Sequence, residues 1–351
     1  MKLEEIIKDI KPLDDAALRA AQARQDTLTK PRGSLGRLEE LSIQLAGMKA
    51  DPFPSVERKA VIVMAADHGV AHEGVSAYPS DVTAQMVLNF LRGGAAINVL
   101  ARQAGARVTV VDIGVAADVE PLPGLLRRKV MCGTRNLAEG VAMTRDEAEQ
   151  AIQVGVDVLN EEATRGLDLV ATGDMGIGNT TPASAIVAAI TELPVAQVAG
   201  RGTGIDDQGL ERKIKVIERA LTVNQPDADD AMDVLHKVGG LEIAGLAGVM
   251  IAAAHHRIPV VVDGFISTAA AMIAVGLAPG VRNYLISAHQ SMEVGHRAML
   301  RYLRLWPLLD LNLRLGEGTG AVLAFHLIEA STRILREMAT FDEAGVSDKE
   351  E

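Results

Sequence analysis

Between residues 58 and 290 the chain alternates short apolar runs, rich in valine, isoleucine and alanine, with longer alanine-rich stretches. Apolar runs of about four to eight residues are typical of buried strands, whereas the longer stretches have the length of helices. The pattern predicts five strands, at residues 60–65, 107–112, 167–171, 259–262 and 284–287. Strands that alternate with helices are typical of an α/β fold with a parallel sheet.

The first 50 residues are predicted to be helical. Asp14 or Asp15 is a candidate N-cap, and the segment KPRG at 30–33 interrupts the helical pattern. The helical stretch that follows carries four leucines on one face, namely Leu35, Leu38, Leu41 and Leu45. That apolar face is expected to cover either the main domain or a partner subunit.

Later helices have recognisable starts. The candidates are Thr181 as a cap with Pro182 at the first helical position, Asp207 as the cap of a helix that carries Lys213, and the pair Gly239 and Gly240 before a long apolar helix. The last helix is predicted at residues 321–338, and the acidic tail after Thr340 is expected to be frayed.

A polar or glycine-containing cluster follows each predicted strand. The clusters are DHG at 67–69, DIG at 112–114, GDMG at 173–176, DG at 263–264 and SAH at 287–289. Ligands of open parallel sheets bind beyond the carboxyl ends of the strands, so the five clusters are expected to line one site. Solvent exposure of a loop would explain any single cluster.

Composition narrows the class of protein. Hydrophobic residues make up 48% of 351 residues, yet no apolar run reaches the roughly 18 residues of a membrane span. The acidic amino terminus lacks the apolar core of a secretory signal, so a cytoplasmic protein is expected. A net charge of −11 argues against a nucleic acid as partner. Cys132 is the only cysteine, which excludes an intrachain disulfide, and it is expected to be a small buried side chain.

Two glycine-rich loops are suited to an anion. The segment GDMGIGNTT at 173–181 places glycines and hydroxyls between a strand and a helix start, where backbone N–H groups lack partners. The segment GRGTG at 200–204 precedes the helix that carries Lys213. Neither segment fits a Walker loop or the GxGxxG of dinucleotide folds. Phosphate binding and a purely structural role both remain open from these residues alone.

One carboxylate lies among three alternating glycines, in the segment GEGTG at 316–320, which leads into the last helix. Glycines there allow positive φ and bring backbone N–H groups close to a ligand, so Glu317 is a candidate catalytic group. A flat apolar ring could bind between Tyr78, Met86, Met175 and Leu315, although core packing explains each of these residues equally well.

Metal and nucleophile signatures are weak. His289, Glu293 and His296 have the spacing of one helical face, but no HExxH motif is present, so no metal is predicted. The GxSxG elbow of serine hydrolases is also absent, and Ser291 is interpreted as a ligand hydroxyl.

Six segments, taken together and in order, resemble the nicotinate-nucleotide:dimethylbenzimidazole phosphoribosyltransferases of cobalamin biosynthesis. They are TKPRGSLGRLE at 29–39, DHGV and EGVSAYP within 67–79, GDMGIGNTTPA at 173–183, VDGFIS at 262–267, SAHQSMEVGH at 287–296 and RLGEGTGA at 314–321. The resemblance spans nearly the whole chain. It implies transfer of a 5-phosphoribosyl group from nicotinate mononucleotide to 5,6-dimethylbenzimidazole, without a cofactor, by a homodimer.

The resemblance also implies a fold and a set of site residues. The fold would be a Rossmann-like parallel sheet flanked by helices in residues 51–295, with a small helical domain built from residues 1–50 and part of residues 296–351. Glu317 matches the family's catalytic base. The base pocket would comprise Tyr78, Gln85, Met86, Asp174, Met175 and Leu315. The phosphoribosyl and nicotinate groups would contact Gly176, Asn179, Thr180, Gly202, Thr203, Lys213 and Ser291.

Two positions depart from the family pattern. Relatives carry Glu at the position of Asp174 and a smaller residue at the position of Tyr78, so the preferred base is open. A non-catalytic nucleotide-binding protein is one alternative, disfavoured because binding alone does not require the carboxylate of Glu317. A dehydrogenase with a dinucleotide cofactor is another, disfavoured by the missing GxGxxG.

Overall fold

The computed structural model describes residues 3–347, in which six parallel strands form one sheet in the order β3-β2-β1-β4-β5-β6. The strands are β1 Lys59–Ala66, β2 Ala106–Gly114, β3 Leu125–Arg127, β4 Leu169–Met175, β5 Val260–Val262 and β6 Leu285–Ser287. The predicted α/β class, with a Rossmann-like parallel sheet flanked by helices, is confirmed. The strand order reverses direction between β1 and β4, which is where ligands bind in such sheets.

The five predicted strands are present, and one further strand was missed. The strand β3 has only three residues and lies at the sheet edge, where it pairs with β2 alone, so no sustained apolar run marks it. The strand β4 continues to Met175, so Gly173 and Asp174 belong to the strand rather than to the loop after it.

Helices account for most of the remaining chain. They are α1 Leu3–Asp9, α2 Asp15–Thr27, α3 Arg37–Lys49, α4 Asp81–Leu91, α5 Ala96–Ala104, α6 Arg145–Thr164, α7 Thr180–Thr191, α8 Val195–Val198, α9 Asp207–Asn224, α10 Ala231–Val238, α11 Leu241–His255, α12 Phe265–Leu277, α13 His296–Leu303, α14 Thr319–Glu337 and α15 Phe341–Ala344. Short 3-10 helices occupy Gly69–Glu73 and Pro279–Tyr284.

The helix α11 is buried along nearly its whole length, which explains why its sequence is apolar on every face. It packs against α6 and α12 and against the sheet. A Cβ on Gly155 of α6 would lie 1.8 Å from the carbonyl oxygen of Gly245 in α11, so only glycine permits this approach of the two backbones.

Helices from both ends of the chain pack together. Ala17 of α2, Ala46 of α3 and Leu335 of α14 belong to one small apolar cluster, and the Arg24 guanidinium donates a 2.9 Å hydrogen bond to the carbonyl of Met338. Leu41 and Leu45 of α3 belong instead to the main core, whereas Leu35 and Leu38 are half-buried, so only part of the leucine face predicted from the sequence packs into the main core.

Several predicted helix boundaries require correction. Asp14 does cap α2, by accepting the N–H of Ala17 at 2.8 Å. The helix α7, however, starts one residue before Thr181, with Asn179 at the N-cap position, and α9 is capped by Asp206 rather than Asp207. The last long helix begins at Thr319, and residues 341–344 form the short helix α15, so the expected fraying was wrong for these four residues, while residues 348–351 lie outside the described residues.

Two further observations bear on the composition-based expectations. Cys132 is exposed, not buried, because it lies in a turn region between β3 and α6 rather than on an element that faces the core. Among the helices in residues 3–347, none combines the length and apolarity that a membrane span needs.

Candidate active site

A cavity of about 500 Å³ lies at the carboxyl edge of the sheet. Its walls come from the ends of β4, β5 and β6, from the loop at 202–203 and from the segment at 312–316. The lining residues are Tyr78, Asp174, Asn179, Thr180, Gly202, Thr203, Gly264, Phe265, Ile266, His289, Ser291, Glu293, Asn312, Leu313, Arg314, Leu315 and Gly316. The cavity therefore lies where the strand topology places a ligand.

Eight of the fourteen site residues proposed from the sequence line this cavity. They are Tyr78, Asp174, Asn179, Thr180, Gly202, Thr203, Ser291 and Leu315. Tyr78 and Leu315 are 56% and 58% exposed, so their side chains stand free at its mouth. The structure does not place Gln85, Met86, Met175, Gly176, Lys213 or Glu317 in the lining.

The polar clusters after the strands do not all contribute to the cavity. The clusters at 173–176, 263–264 and 287–289 each supply a lining residue. Asp67 and Asp112 instead accept backbone N–H groups of the loop that follows β2, at 2.8 and 2.9 Å. The expectation that all five clusters line one site was therefore wrong for the first two, whose carboxylates bind loop backbone.

The loop after β4 is held by close backbone approaches. A Cβ on Gly176 would lie 2.4 Å from the carbonyl oxygen of Ala66, so glycine is required there. Asn179 donates a 3.0 Å hydrogen bond from its amide to the Asp174 carboxyl, which fixes the loop at the start of α7. Burial raises the pKa of Asp174 well above its usual range, and the carboxylates of Asp263 and Glu242 raise it further.

A buried cation lies directly behind the cavity wall. Lys213 is fully buried, and its ammonium donates to Thr180 Oγ1 at 2.7 Å and to the carbonyl of Gly200 at 3.0 Å. Burial lowers the pKa of Lys213 to about 8, while the carboxylate of Glu293 opposes the shift. Gly202 has a φ of +52°, and a Cβ there would lie 2.6 Å from Thr180 Oγ1. Hydroxyl, ammonium and an open backbone together suit an anion such as phosphate.

The residues at 289–296 form a hydrogen-bonded loop. The helix α13 starts at His296, so His289, Glu293 and His296 do not share a helical face, and the spacing considered for a metal site was misleading. His296 accepts the N–H of Ser291 at 2.9 Å and lies 2.9 Å from Thr268 Oγ1. Burial lowers the pKa of His296 to about 3, so the ring is neutral and structural.

Glu317 lies in a turn with unusual backbone geometry. Its φ of +63° is in the left-handed region, between Gly316 at +85° and Gly318 at +89°. A Cβ on Gly173 would lie 2.4 Å from the Glu317 carbonyl oxygen, so the turn presses directly on β4. Non-glycine residues rarely adopt such conformations, and they cluster at functional sites.

The Glu317 side chain is only 5% exposed and turns toward the start of α5. Its Oε2 accepts the N–H of Ile97 at 3.3 Å. Burial raises the pKa of Glu317, the Ile97 hydrogen bond opposes that shift, and the charge of Asp263 adds to it. Burial dominates, and the opposing N–H belongs to α5 rather than to α14.

Sequence reasoning missed several cavity residues. Arg314 donates a hydrogen bond to the carbonyl of Gly202 at 3.2 Å and so joins the glycine-rich loop at 200–204 to the segment before Glu317. Phe265 and Ile266 supply an apolar part of the wall, and Asn312, which has a φ of +56°, also lines the cavity. The motifs VDGFIS and RLGEG contain or adjoin these residues, but only the strand topology reveals that they face one cavity.

Comparison with known proteins identifies the family. A phosphoribosyltransferase family model matches residues 10–346. The nicotinate-nucleotide–dimethylbenzimidazole phosphoribosyltransferase of Chloroflexus aggregans is 63% identical over 349 residues, covering 99% of both chains. The enzyme of that name from Desulforudis audaxviator is 58% identical over 345 residues, covering 98% of both chains.

A solved structure agrees with these relatives. The crystal structure of the Thermus thermophilus enzyme of the same name has a TM-score of 0.91 and 49% identity, and the match covers 96% of this chain and 100% of that one. Sequence, fold and cavity point to the same conclusion. The chain is a phosphoribosyltransferase and belongs to the nicotinate-nucleotide–dimethylbenzimidazole phosphoribosyltransferase family.

Proposed function

We propose that this enzyme transfers the 5-phosphoribosyl group of nicotinate mononucleotide to 5,6-dimethylbenzimidazole, giving α-ribazole 5′-phosphate and nicotinate for the lower ligand of cobalamin. The observation that carries the proposal is the buried carboxylate of Glu317, whose turn adjoins the cavity through Gly316. The names of the relatives supply the two substrates. In the proposal, Glu317 is the general base, and the loops around Gly202 and Thr180 bind the phosphate.

The phosphate of the nucleotide binds at the loops around Gly202 and Thr180. The ammonium of Lys213 supplies positive charge from behind both of them. Gly176, Asn179, Thr203 and Ser291 complete this half of the site in the proposal. Neutral hydroxyl and amide groups suit a ribosyl phosphate, since they donate to its oxygens without adding negative charge.

The acceptor base binds on the side of Glu317. Tyr78 and Leu315 flank the mouth of the cavity, and Met175 at the end of β4 is half-buried. Met86 is half-buried on α4, while Gln85 is exposed on the same helix. In the proposal these apolar groups contact the faces of the flat ring, and Asp174 and Gln85 set its orientation through polar contacts.

Glu317 acts as the general base. One ring nitrogen of the benzimidazole attacks C1′ as the bond from C1′ to the nicotinate nitrogen breaks, and the bonding electron pair returns to the pyridine ring. The leaving group needs no acid, because its nitrogen was cationic in the glycosidic bond. The attacking ring becomes cationic, and its second nitrogen gives its proton to the Glu317 carboxylate. A raised pKa makes that carboxylate a better proton acceptor.

Attack from the face opposite the leaving group inverts C1′ from β to α. This stereochemistry requires the two rings to bind on opposite sides of the ribose.

We also propose that the enzyme is a homodimer. Apolar side chains are exposed beside the cavity, at Met292, Val294, Leu311 and Leu315, and Trp306 nearby is 71% exposed. The segments that carry them are joined by a 3.1 Å hydrogen bond from Met292 N–H to the carbonyl of Leu313. Exposed apolar side chains on neighbouring segments are typical of a protein interface, and in the proposal a second copy covers them.

The proposed reaction is tested by incubating the purified enzyme with nicotinate mononucleotide and a set of bases, followed by chromatography of the products. We expect nicotinate release that depends on 5,6-dimethylbenzimidazole, together with an α-linked riboside phosphate. No release with any base would favour a nucleotide-binding protein without catalytic activity. A nicotinamide-dependent change in absorbance would favour a dehydrogenase.

A further inference from the structure

Asp263 follows β5 and is fully buried, but it does not line the cavity. Its Oδ1 accepts the N–H of Ala321 at 2.9 Å. Its Oδ2 has no hydrogen-bond partner of good geometry among residues 3–347. Burial of a carboxylate costs free energy, because the protein interior disfavours its charge. A buried carboxylate with an unpartnered oxygen therefore calls for an explanation by its role.

The role lies at the start of α14. This 19-residue helix has Gly318 at its N-cap position, where glycine offers no side chain to accept the unpaired N–H groups of the first turn. Asp263, the residue after β5, supplies the missing acceptor. The backbone N–H groups of Gly318 and Gly320 also face this carboxylate, and they oppose the burial that raises its pKa.

The opposite side of the turn is also fixed. A Cβ on Gly320 would lie 2.0 Å from Cδ2 of His289, so the helix start is pressed against that ring. His289 Nε2 lies 3.7 Å from Asp263 Oδ1. The turn that carries Glu317 is therefore packed against two parts of the protein. One is Gly173 of β4, and the other is the pair formed by Asp263 and His289.

We propose that Asp263 is a positioning residue for the transfer reaction, in that it caps α14 from outside the helix and so holds Glu317 in its left-handed conformation toward the acceptor base. The inference rests on the proposed function, because it assumes that Glu317 is the base. Asp263 does not contact the substrates. It acts through the backbone of residues 318–321.

The charge of Asp263 also acts on Glu317. The groups that face Glu317 are the carboxyls of Asp174 on β4 and of Asp263 after β5, and the N–H of Ile97 at the start of α5. Of these, Asp263 raises the pKa of Glu317 and Ile97 lowers it. Asp263 itself faces His289 and the first turn of α14. Removal of its charge should lower the pKa of Glu317 and move the acid limb of kcat/KM to lower pH.

Two substitutions distinguish the hydrogen-bonding role of Asp263 at the start of α14 from the effect of its negative charge on Glu317. Asp263→Asn keeps an acceptor for the Ala321 N–H, so we expect kcat within about tenfold of wild type, with the acid limb at lower pH. Asp263→Ala removes the acceptor, so we expect kcat to fall on the order of 10²-fold, because a small displacement of a catalytic group has that effect. Amide hydrogen exchange should quicken at residues 318–321 in Asp263→Ala only.

Asp168→Asn is the matched control, since it removes a carboxylate at the amino end of β4, away from the cavity. Asp168→Asn should lower the free energy of unfolding and leave the acid limb of kcat/KM at the same pH as in wild type. An Asp263→Asn enzyme with an unmoved acid limb would overturn the inference, as would a folded Asp263→Ala enzyme with wild-type kcat. If Asp263→Ala does not fold, the acid limb in the pH profile of kcat/KM for Asp263→Asn tests the inference alone. Wild-type turnover in Glu317→Gln would instead refute the proposed base, a separate outcome that does not depend on Asp263.

Discussion

Glu317 lies directly over Gly173: a methyl group on this glycine would approach the Glu317 carbonyl oxygen to 2.4 Å. The Glu317 N–H also donates to the carbonyl of Asp174 at 3.3 Å. The central strand β4 therefore supports the turn that carries Glu317. Displacement of either segment moves the other.

This contact predicts a loss of activity from a single methyl group. Gly173→Ala should displace the Glu317 turn and lower kcat on the order of 10²-fold, with a loss of about 1 to 3 kcal/mol in the free energy of unfolding from overpacking. Steady-state kinetics and urea unfolding measure the two effects. Gly140→Ala is the control, because a Cβ there meets nothing within 4 Å. Wild-type kcat in Gly173→Ala would contradict the arrangement.

Replacement of the carboxylate tests general-base catalysis. Glu317→Gln keeps the size and a hydrogen-bonding group but cannot take a proton, so kcat should fall by a factor of about 10² to 10⁴. The KM for nicotinate mononucleotide should change little, since the phosphate site is separate. Nicotinate release gives both constants. Glu337→Gln, at the exposed end of the same helix, should behave as wild type, and equal activity in the two variants would remove Glu317 from the mechanism.

The pKa of Lys213 predicts how nucleotide binding depends on pH. Burial lowers that pKa to about 8, so the ammonium is charged below pH 8 and loses its charge as the pH rises through 8. The KM for nicotinate mononucleotide should therefore rise above pH 8, and Lys213→Met should have a high KM at every pH. Lys215→Met, on an exposed face of α9, should keep the pH dependence of the wild type. A KM that is flat from pH 7 to 9 would contradict this role.

A second ionic group predicts the acid stability of the fold. Asp168 accepts from the Arg58 guanidinium at 2.8 and 3.0 Å and from Lys49 at 3.2 Å, and although burial opposes it, these partners lower its pKa to about 2. A carboxyl whose pKa is lower in the folded state than in the unfolded state stabilises the fold at every pH above the unfolded-state pKa, near 3.8. This contribution is lost as the pH falls toward 2.

Asp168→Asn should therefore unfold at a lower Tm than wild type at pH 7, with a loss of about 1 to 3 kcal/mol. The difference in Tm should narrow between pH 4 and pH 2. Differential scanning calorimetry across that range provides the measurement. A constant difference down to pH 2 would show that the carboxylate charge is not the stabilising feature.

The proposed dimer predicts a concentration-dependent assembly. Leu311→Glu places a charge on the exposed apolar surface beside the cavity and should shift the equilibrium toward monomer in analytical ultracentrifugation. Val223→Glu is the matched control, since Val223 is similarly exposed on α9, away from that surface. A wild-type enzyme that sediments as a monomer at micromolar concentration would refute the dimer.

The sequence predicted the parallel sheet because buried strands such as β1 are apolar at every position but the first, a pattern that burial on both faces imposes. It missed β3, whose three residues are half-exposed or exposed and carry no such pattern. It also misplaced the caps of α7 and α9 by a residue or two, since adjacent polar residues such as Asp206 and Asp207 are equally good caps by type.

Within the site, the sequence motifs led to the roles proposed for Glu317 and for the two glycine-rich loops, but they did not reveal which residues support these segments. Asp263 and His289 are separated from Glu317 by many residues in sequence, and the strand order alone brings them to the start of α14. Arg314 was missed for a similar reason, because its partner is the backbone of Gly202 on a distant loop. Contacts of this kind carry no local sequence signal.

The left-handed backbone at Glu317 has a consequence for how this position tolerates change. Glycine would relieve the strain there and stabilise the folded enzyme without substrate by roughly 1 kcal/mol. A stability screen would thus select Glu317→Gly, whereas a growth selection that demands the product would reject it. Selection for stability and selection for product would thus have opposite outcomes at this residue. That result is expected where a side chain is needed for activity although its backbone conformation favours glycine.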